Sequence, residues 1–380
     1  MMTCSDPPPV TVVLDPFDDA LHTRAALAAH DPGAGRLTVH PTPGTDSSVC
    51  LAYDVLAALG KPVPVSGYPG RAAGPPWAMA AAWILATSIT RLTVLRAHLL
   101  DRRRLQDLLD LRSRTGVRLV LVCHRGTVPA PVERMLAPVG YRLAHACAVL
   151  PGVPDPSVSQ LPPYRPLAGR WLPLSALTTL VAADGPDRRC RCTAPAAQAR
   201  GFHPPQMRAS VAEEIAHRLH AATAHPHLAA ELATAVFTAA STTQLATVHP
   251  GDLTTGATAI TLHDPGRLRR GCLTHQVPSW ARPFLLAAAY LRRIAAVPDE
   301  PLFTPPFPTR GLPALTRFAE ACKLRPPQPR QSRPAAGTRG RQSPSKTVWP
   351  LSAAHYHYPW AVTEDLRGCP PPPSSGRRRT

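Results

Sequence analysis

The sequence predicts an α/β domain with a mainly parallel sheet, followed by a mainly α domain that carries a small hairpin. Three observations predict it. Between 36 and 150, short β-branched runs alternate with apolar-periodic helical stretches, the spacing of successive βαβ units. Between 205 and 323 the helical period dominates, and one pair of short β-rich runs interrupts it. Beyond 324, Pro, Arg, Gly and Ser take over, a composition that cannot bury enough apolar area to offset chain entropy. The expected division is therefore an α/β domain at 1–150, a Pro-rich connector at 151–204, a helical domain at 205–323 and a disordered basic tail at 324–380.

The elements follow in order. Val10, Val12, Val13 and Leu14 form an apolar run, and a short helix is expected over 20–29. The alternating segment predicts strands at 36–40, 62–66, 91–95, 117–122 and 142–149, with helices at 48–59, 77–89, 101–114 and 130–137. Leu51, Val55, Leu56 and Leu59 place the first of these helices on one apolar stripe. The stretch WAMAAAWILATSIT at 77–90 is apolar all round but shorter than the roughly 20 residues a membrane span needs, so a buried helix is expected. The connector holds one short helix at 174–183. Helices are expected at 207–222, 226–245, 281–296 and 312–322, a turn at 249–252, and a hairpin from 257–262 and 272–277.

Composition narrows the function. The formal charge is +18 with pI near 10.4, which favours a polyanionic partner, nucleic acid first. The tail from Lys323 carries eleven basic residues against Glu364 and Asp365, net +9, half of the total. Lysine occurs only at 61, 323 and 346 while Ala and Arg abound, the bias of a GC-rich, actinobacterial-like genome. The start MMTCSDPPPV lacks a basic n-region and an apolar h-region, so a cytoplasmic location with nine reduced cysteines is expected.

The segment 36–60 has the shape of a strand, tight turn and helix, with PTPGTDSS at 41–48 in the turn. A phosphate-binding loop reads G-x-x-x-x-G-K-[ST]. Here Pro41 and Asp46 stand at the glycines and Ser47 at the lysine, and only Ser48 fits. RLTVLRAH follows at 91–98, then LQDLLDLRSRTGVRLVLVCHR at 105–125. In this order the three segments resemble AAA-type P-loop ATPases of the kind that assist transposition. The resemblance implies a vestigial nucleotide site at Gly44, Thr45, Ser47 and Ser48. It puts Leu95 and Arg96 at the acidic positions, and Cys123 or His124 at the polar sensor. Phosphoryl transfer depends on the loop lysine and metal-linked acid, so no ATPase activity and weak or absent nucleotide binding are expected.

TAASTTQLATVHPGDL at 238–253, the strand and basic turn at 258–270, QVPSWARPFLLAAAYLRR at 276–293 and PLFT at 301–304 resemble the catalytic domain of tyrosine recombinases, the phage-integrase family. The resemblance puts Ser241 at the first catalytic Arg and Gln244 at its supporting Glu. A His-x-x-Arg signature is not found, and no nucleophilic Tyr can be assigned, Tyr356 and Tyr358 in a proline-flanked segment being the only late candidates; with Ser241 in place of the first Arg, no strand cleavage is expected. Arg267, Arg269 and Arg270 on the turn, with Arg292 and Arg293 at a helix end, are the candidate DNA phosphate contacts.

Other clusters point to ordinary structure. Cys190, Cys192 and His203 lack zinc-site spacing. His217, His220, His225 and His227 read as surface histidines, and Asp15, Asp18 and Asp19 as a turn or helix start. No catalytic residue, metal or cofactor is expected. The combined expectation is a non-catalytic DNA-binding or accessory protein of a bacterial mobile element or plasmid, acting in recombination or transposition, with DNA and a recombinase as partners and no membrane. The alternatives are a pseudo-ATPase adaptor for an active integrase, or a chain with no retained activity.

Overall fold

The computed structural model describes residues 8–43, 47–63, 65, 67, 72–150, 197–198 (backbone only), 209–238, 240–263, 272–309, 312, 314–324 and 327. The connector helix at 174–183, Cys190, Cys192, His203 and, apart from Leu324 and Pro327, the tail lie outside them.

The N-terminal part is a mixed α/β domain. Its elements are β1 (Val10–Leu14), α1 (Ala20–Ala28), β2 (Arg36–Val39), α2 (Ser48–Ala58), α3 (Gly74–Ala86), β3 (Arg91–Val94), α4 (Arg102–Thr115), β4 (Arg118–Cys123), α5 (Ala130–Leu136), β5 (Tyr141–His145) and the single turn α6 (Ala146–Val149). All four strand pairings are parallel, in the order β2-β3-β4-β1-β5. The sheet sorts its side chains by the two-residue period of a strand. Val10, Val12, Leu14, Leu37, Val39, Leu92, Val94, Leu119, Leu121 and Cys123 point to one face, under α2, α3, α4 and α5. Val13, Val120, Val122 and Leu95 point to the other, where, among the described residues, only α1 and the α6 turn contribute, with Ala26, Ala146 and Leu150.

Local chemistry sets several boundaries. Asp19 caps α1, Ser47 caps α2 and Asp101 caps α4, each accepting from a backbone N–H of the first turn. Gly116 ends α4 in the left-handed region, at φ 70°. The strand expected at 62–66 does not form at its described residues, 62, 63 and 65: Pro62 and Pro64 remove the donors a ladder needs. The strand expected at 142–149 stops at His145, and Ala146–Val149 turns into α6, whose Ala146 and Leu150 reach back under the sheet.

The second part is mainly helical, with α7 (Ala209–Ala222), α8 (Pro226–Thr238), the single turn α9 (Thr242–Leu245), α10 (Arg282–Ile294) and α11 (Leu315–Ala321). Its hairpin pairs β7 (Ala259–Leu262) antiparallel to β8 (Leu273–Gln276). The two-residue β6 (Ala197–Gln198), from the region read as connector, adds to β8 in parallel. The helix expected over 226–245 breaks after Thr238. There the Thr234 and Thr238 hydroxyls donate back to the carbonyls four residues earlier, and Ser241 starts α9 with a capping box closed by Gln244. The two residues expected at vestigial recombinase positions thus have a local capping role.

α3 explains its own composition. Pro76 to Ile84 are buried all round, as in a core helix. One side packs on α2 and α4, the other on α10 through Phe284, whose ring meets Trp83 edge-on at 6.1 Å. The Trp83 indole donates to the Ala224 carbonyl at 2.8 Å. Among the described residues, no helix is long and apolar enough to cross a membrane.

Candidate functional site

A parallel sheet opens a crevice at the carboxyl ends of its strands where neighbouring connections leave to opposite faces. That condition is met between β1 and β4. The chain leaves β1 for α1 on the thinly covered face, and leaves β4 for α5 on the thick one. The side chains at this place are Asp15 and Asp18 after β1, Arg96 and His98 after β3, and His124 after β4.

Asp15 is fixed by the sheet itself, its amide donating to the Cys123 carbonyl at 2.9 Å. Its carboxylate is 1% exposed. Oδ2 accepts from the Asp19 amide at 3.1 Å and lies 3.0 Å from His124 Nδ1, while Oδ1 lies 3.1 Å from His22 Nδ1. Burial pushes the Asp15 carboxyl up, but the bonds from His22, the Asp19 amide and His124 outweigh it and leave its pKa below the ordinary value. Asp18 takes a left-handed backbone, φ 50°, which swings its carboxylate back over the crevice. Asp18 Oδ1 lies 3.0 Å from the same His124 Nδ1. Arg96, also left-handed at φ 52°, reaches across from β3 and donates to both Asp18 oxygens at 3.1 Å.

His124 is thus addressed by two carboxylates through one nitrogen. Its amide donates to His98 Nδ1 at 3.3 Å. Burial, then Arg125, His124 and Arg96, lower the His98 pKa, consistent with a neutral ring that accepts at Nδ1. Asp15, Asp18 and His124 each offer one atom, all within 4.8 Å of one another, a set that could hold a metal ion. Phe17, 90% exposed, stands on the same loop as Asp18.

The residues expected at the vestigial nucleotide site lie elsewhere. Gly44 and Thr45 are outside the described residues. Ser47 caps α2, and the Ser48 hydroxyl accepts from the Trp77 indole at 3.0 Å. Both follow β2, an edge strand, and Ser48 lines an open cleft of about 230 Å³ with Trp77, Arg103 and Asp107. Leu95 is buried in the core, Cys123 is buried with its thiol pushed up to about 11, and Arg96 and His124 join the cluster. Of the DNA candidates, Arg267, Arg269 and Arg270 are outside the described residues. Arg292 is turned inward, 1% exposed, paired with Glu300 at 2.6 Å and donating to the Thr304 carbonyl. Arg293 is exposed, with its guanidinium 4.9 Å from the Tyr290 ring centroid.

Two further readings change. His225 and His227 are buried, not on the surface, because α8 starts inside the core. Asp19 is the helix cap that the sequence suggested, but Asp15 is a buried ion-pair partner. The signal was available, since Asp15 directly ends the apolar run VTVVL. The class these observations define is an α/β protein with a polar crevice at a strand-order switch, joined to a mainly helical domain. No protein-family model matches the chain, and no curated protein is significantly similar to it.

Proposed function

We propose that the chain is a non-catalytic DNA-binding or accessory protein, serving recombination or transposition in a bacterial mobile element or plasmid. The observation that carries this reading is a row of arginines at the amino ends of three adjacent strands. Arg36, Arg91 and Arg118 are direct register partners across β2, β3 and β4. They share strand parity with Thr38, Thr93 and Val120, so they stand on the thinly covered face, with Arg142 of β5 at the next level. Strands lie about 4.8 Å apart, so like charges are held close. Burial, then Arg118 and Arg36, depress the Arg91 pKa. Asp31 pairs with Arg36 at 3.1 Å, leaving the row with excess positive charge. A phosphodiester backbone relieves that repulsion without being read for sequence.

The lack of catalysis in this reading is supported by the Ser48 hydroxyl, already engaged by Trp77. Retardation of random duplex should weaken steeply with salt. Replacing Arg36, Arg91 and Arg118 together by Ala should lower the log–log salt slope by about 2–3, near 0.9 per lost phosphate contact. Cutting the chain at Lys323 should lower it further. Absence of retardation at low salt, together with salt-insensitive capture of a recombinase, would replace this reading with the adaptor.

A further inference from the structure

We propose that Asp15, Asp18 and His124 form a binding site for one first-row divalent cation at the carboxyl ends of β1 and β4. The site lies at the opposite end of the strands from the arginine row and does not depend on the nucleic-acid reading.

The geometry carries the assignment. His124 Nδ1 stands 3.0 Å from Asp15 Oδ2 and 3.0 Å from Asp18 Oδ1. Two ligand atoms, each about 2.1 Å from an octahedral ion, are separated by about 3.0 Å along an edge, so each His124–carboxylate pair already has the spacing of adjacent ligands, and all three atoms lie within 4.8 Å of one another. The ring offers one proton at Nδ1 to two anionic oxygens. A dication placed among the three satisfies both carboxylates and the imidazole lone pair together. The His124 ring is 2% exposed and presents Nδ1 to both carboxylates, so the cluster joins a buried imidazole to its acids rather than being acids alone.

The surroundings hold the ligands in place. His22 Nδ1 meets the Asp15 oxygen that does not face His124, and the Asp19 amide fixes the one that does. Arg96 grips both Asp18 oxygens from outside. Outer partners of this kind set the orientation and basicity of ligands. The donor set, two carboxylates and one imidazole, suits Mn²⁺, Fe²⁺, Co²⁺ or Zn²⁺ better than the all-oxygen preference of Mg²⁺ or Ca²⁺. Asp18 is 45% exposed, so an ion has a route from solvent and room for water on its open side.

The test uses the full-length chain, freed of nucleic acid, and Mn²⁺ as the probe, which avoids indiscriminate uptake by the chain's 16 histidines. Loss of the free-ion electron paramagnetic resonance signal should report one saturable site per chain. Asp18→Asn, a half-exposed change that keeps the side-chain shape, should weaken that site at least ~10-fold, and His124→Gln at least ~100-fold. His22→Ala, which removes only an orienting partner, should weaken it by about 10–100-fold. Asp101→Asn, at the cap of α4, should leave it unchanged. Circular dichroism identifies any variant that fails to fold, and Asp18→Asn then decides alone. No saturable Mn²⁺ site in the wild-type chain, or equal binding by wild type and Asp18→Asn, overturns the proposal.

Discussion

The loops after β1 and β2 are built from similar material and do different work. Each follows a short buried parallel strand, each contains Asp and Pro, and each delivers a capped helix. After β2 the polar groups are consumed locally. The Thr42 amide and hydroxyl donate to Asp54 of α2, at 2.8 and 2.6 Å, and Ser47 caps the same helix. After β1 they are spent across the sheet, on His124 from β4 and Arg96 from beyond β3. Position in the sheet makes the difference. Among the described residues β2 is an edge strand with one neighbour, whereas β1 lies between β4 and β5 and its connection leaves to the face opposite that of β4. Polar residues at an edge close a turn, while the same residues at a strand switch converge with others.

Three experiments would break or sharpen this contrast. The largest effect is expected from Asp15→Ala. It leaves buried histidine and amide groups without their acceptor, and should cost about 3–4 kcal/mol in denaturant unfolding. A loss below about 1 kcal/mol would mean the β1 loop is no more integrated than the β2 loop.

The next concerns what anchors the far end of the β2 unit. Lys61, just after α2, is buried with its amine 3.3 Å from the Trp83 ring centroid and 2.8 Å from His220 Nδ1. His220 Nε2 lies 2.8 Å from the Leu59 carbonyl, so the ring is the tautomer that donates there and accepts from Lys61. Burial, then Lys61, lower the His220 pKa from 6.5 to about 4. Between those values the unfolded chain binds the extra proton. The contribution is therefore complete above about pH 6.5 and is lost as pH falls toward 4, by up to about 3 kcal/mol. Lys61, held well below its ordinary 10.5 by burial, acts with the same sign at higher pH. His220→Gln should flatten the acid limb of a melting-temperature profile, and an unchanged limb would remove this role.

The smallest effect is expected at the β2 loop itself. Ser48→Ala should cost about 1 kcal/mol through loss of the Trp77 bond. Calorimetry should detect no ATP binding by the wild-type chain. ATP hydrolysis that this substitution abolishes would restore the loop as a nucleotide site.

Much of the fold was legible in the sequence because it is local. Apolar runs located β2 to β5 and marked 10–14, and helical periodicity placed α2 and α4 to within a residue or two. The strand expected at 62–66 fails because Pro62 and Pro64 interleave with Val63 and Val65 and cannot donate to a ladder. The crevice was less legible, because Asp15 and His124 are 109 residues apart and meet only through the strand order, which periodicity does not encode. Arg292 and Arg293 show the same limit at finer scale. Adjacent basic residues at one helix end read alike, yet burial and Glu300 separate them.

α3 also has a history during synthesis. Its inner side meets α2 and α4 as soon as the first domain is made, but Trp83 waits for α10, roughly 200 residues later in the chain. At synthesis rates of about 5–20 residues per second that wait lasts on the order of 10–40 s. For that time the nascent chain leaves the α10-facing side of an apolar helix open to a chaperone or to a neighbouring ribosome's product.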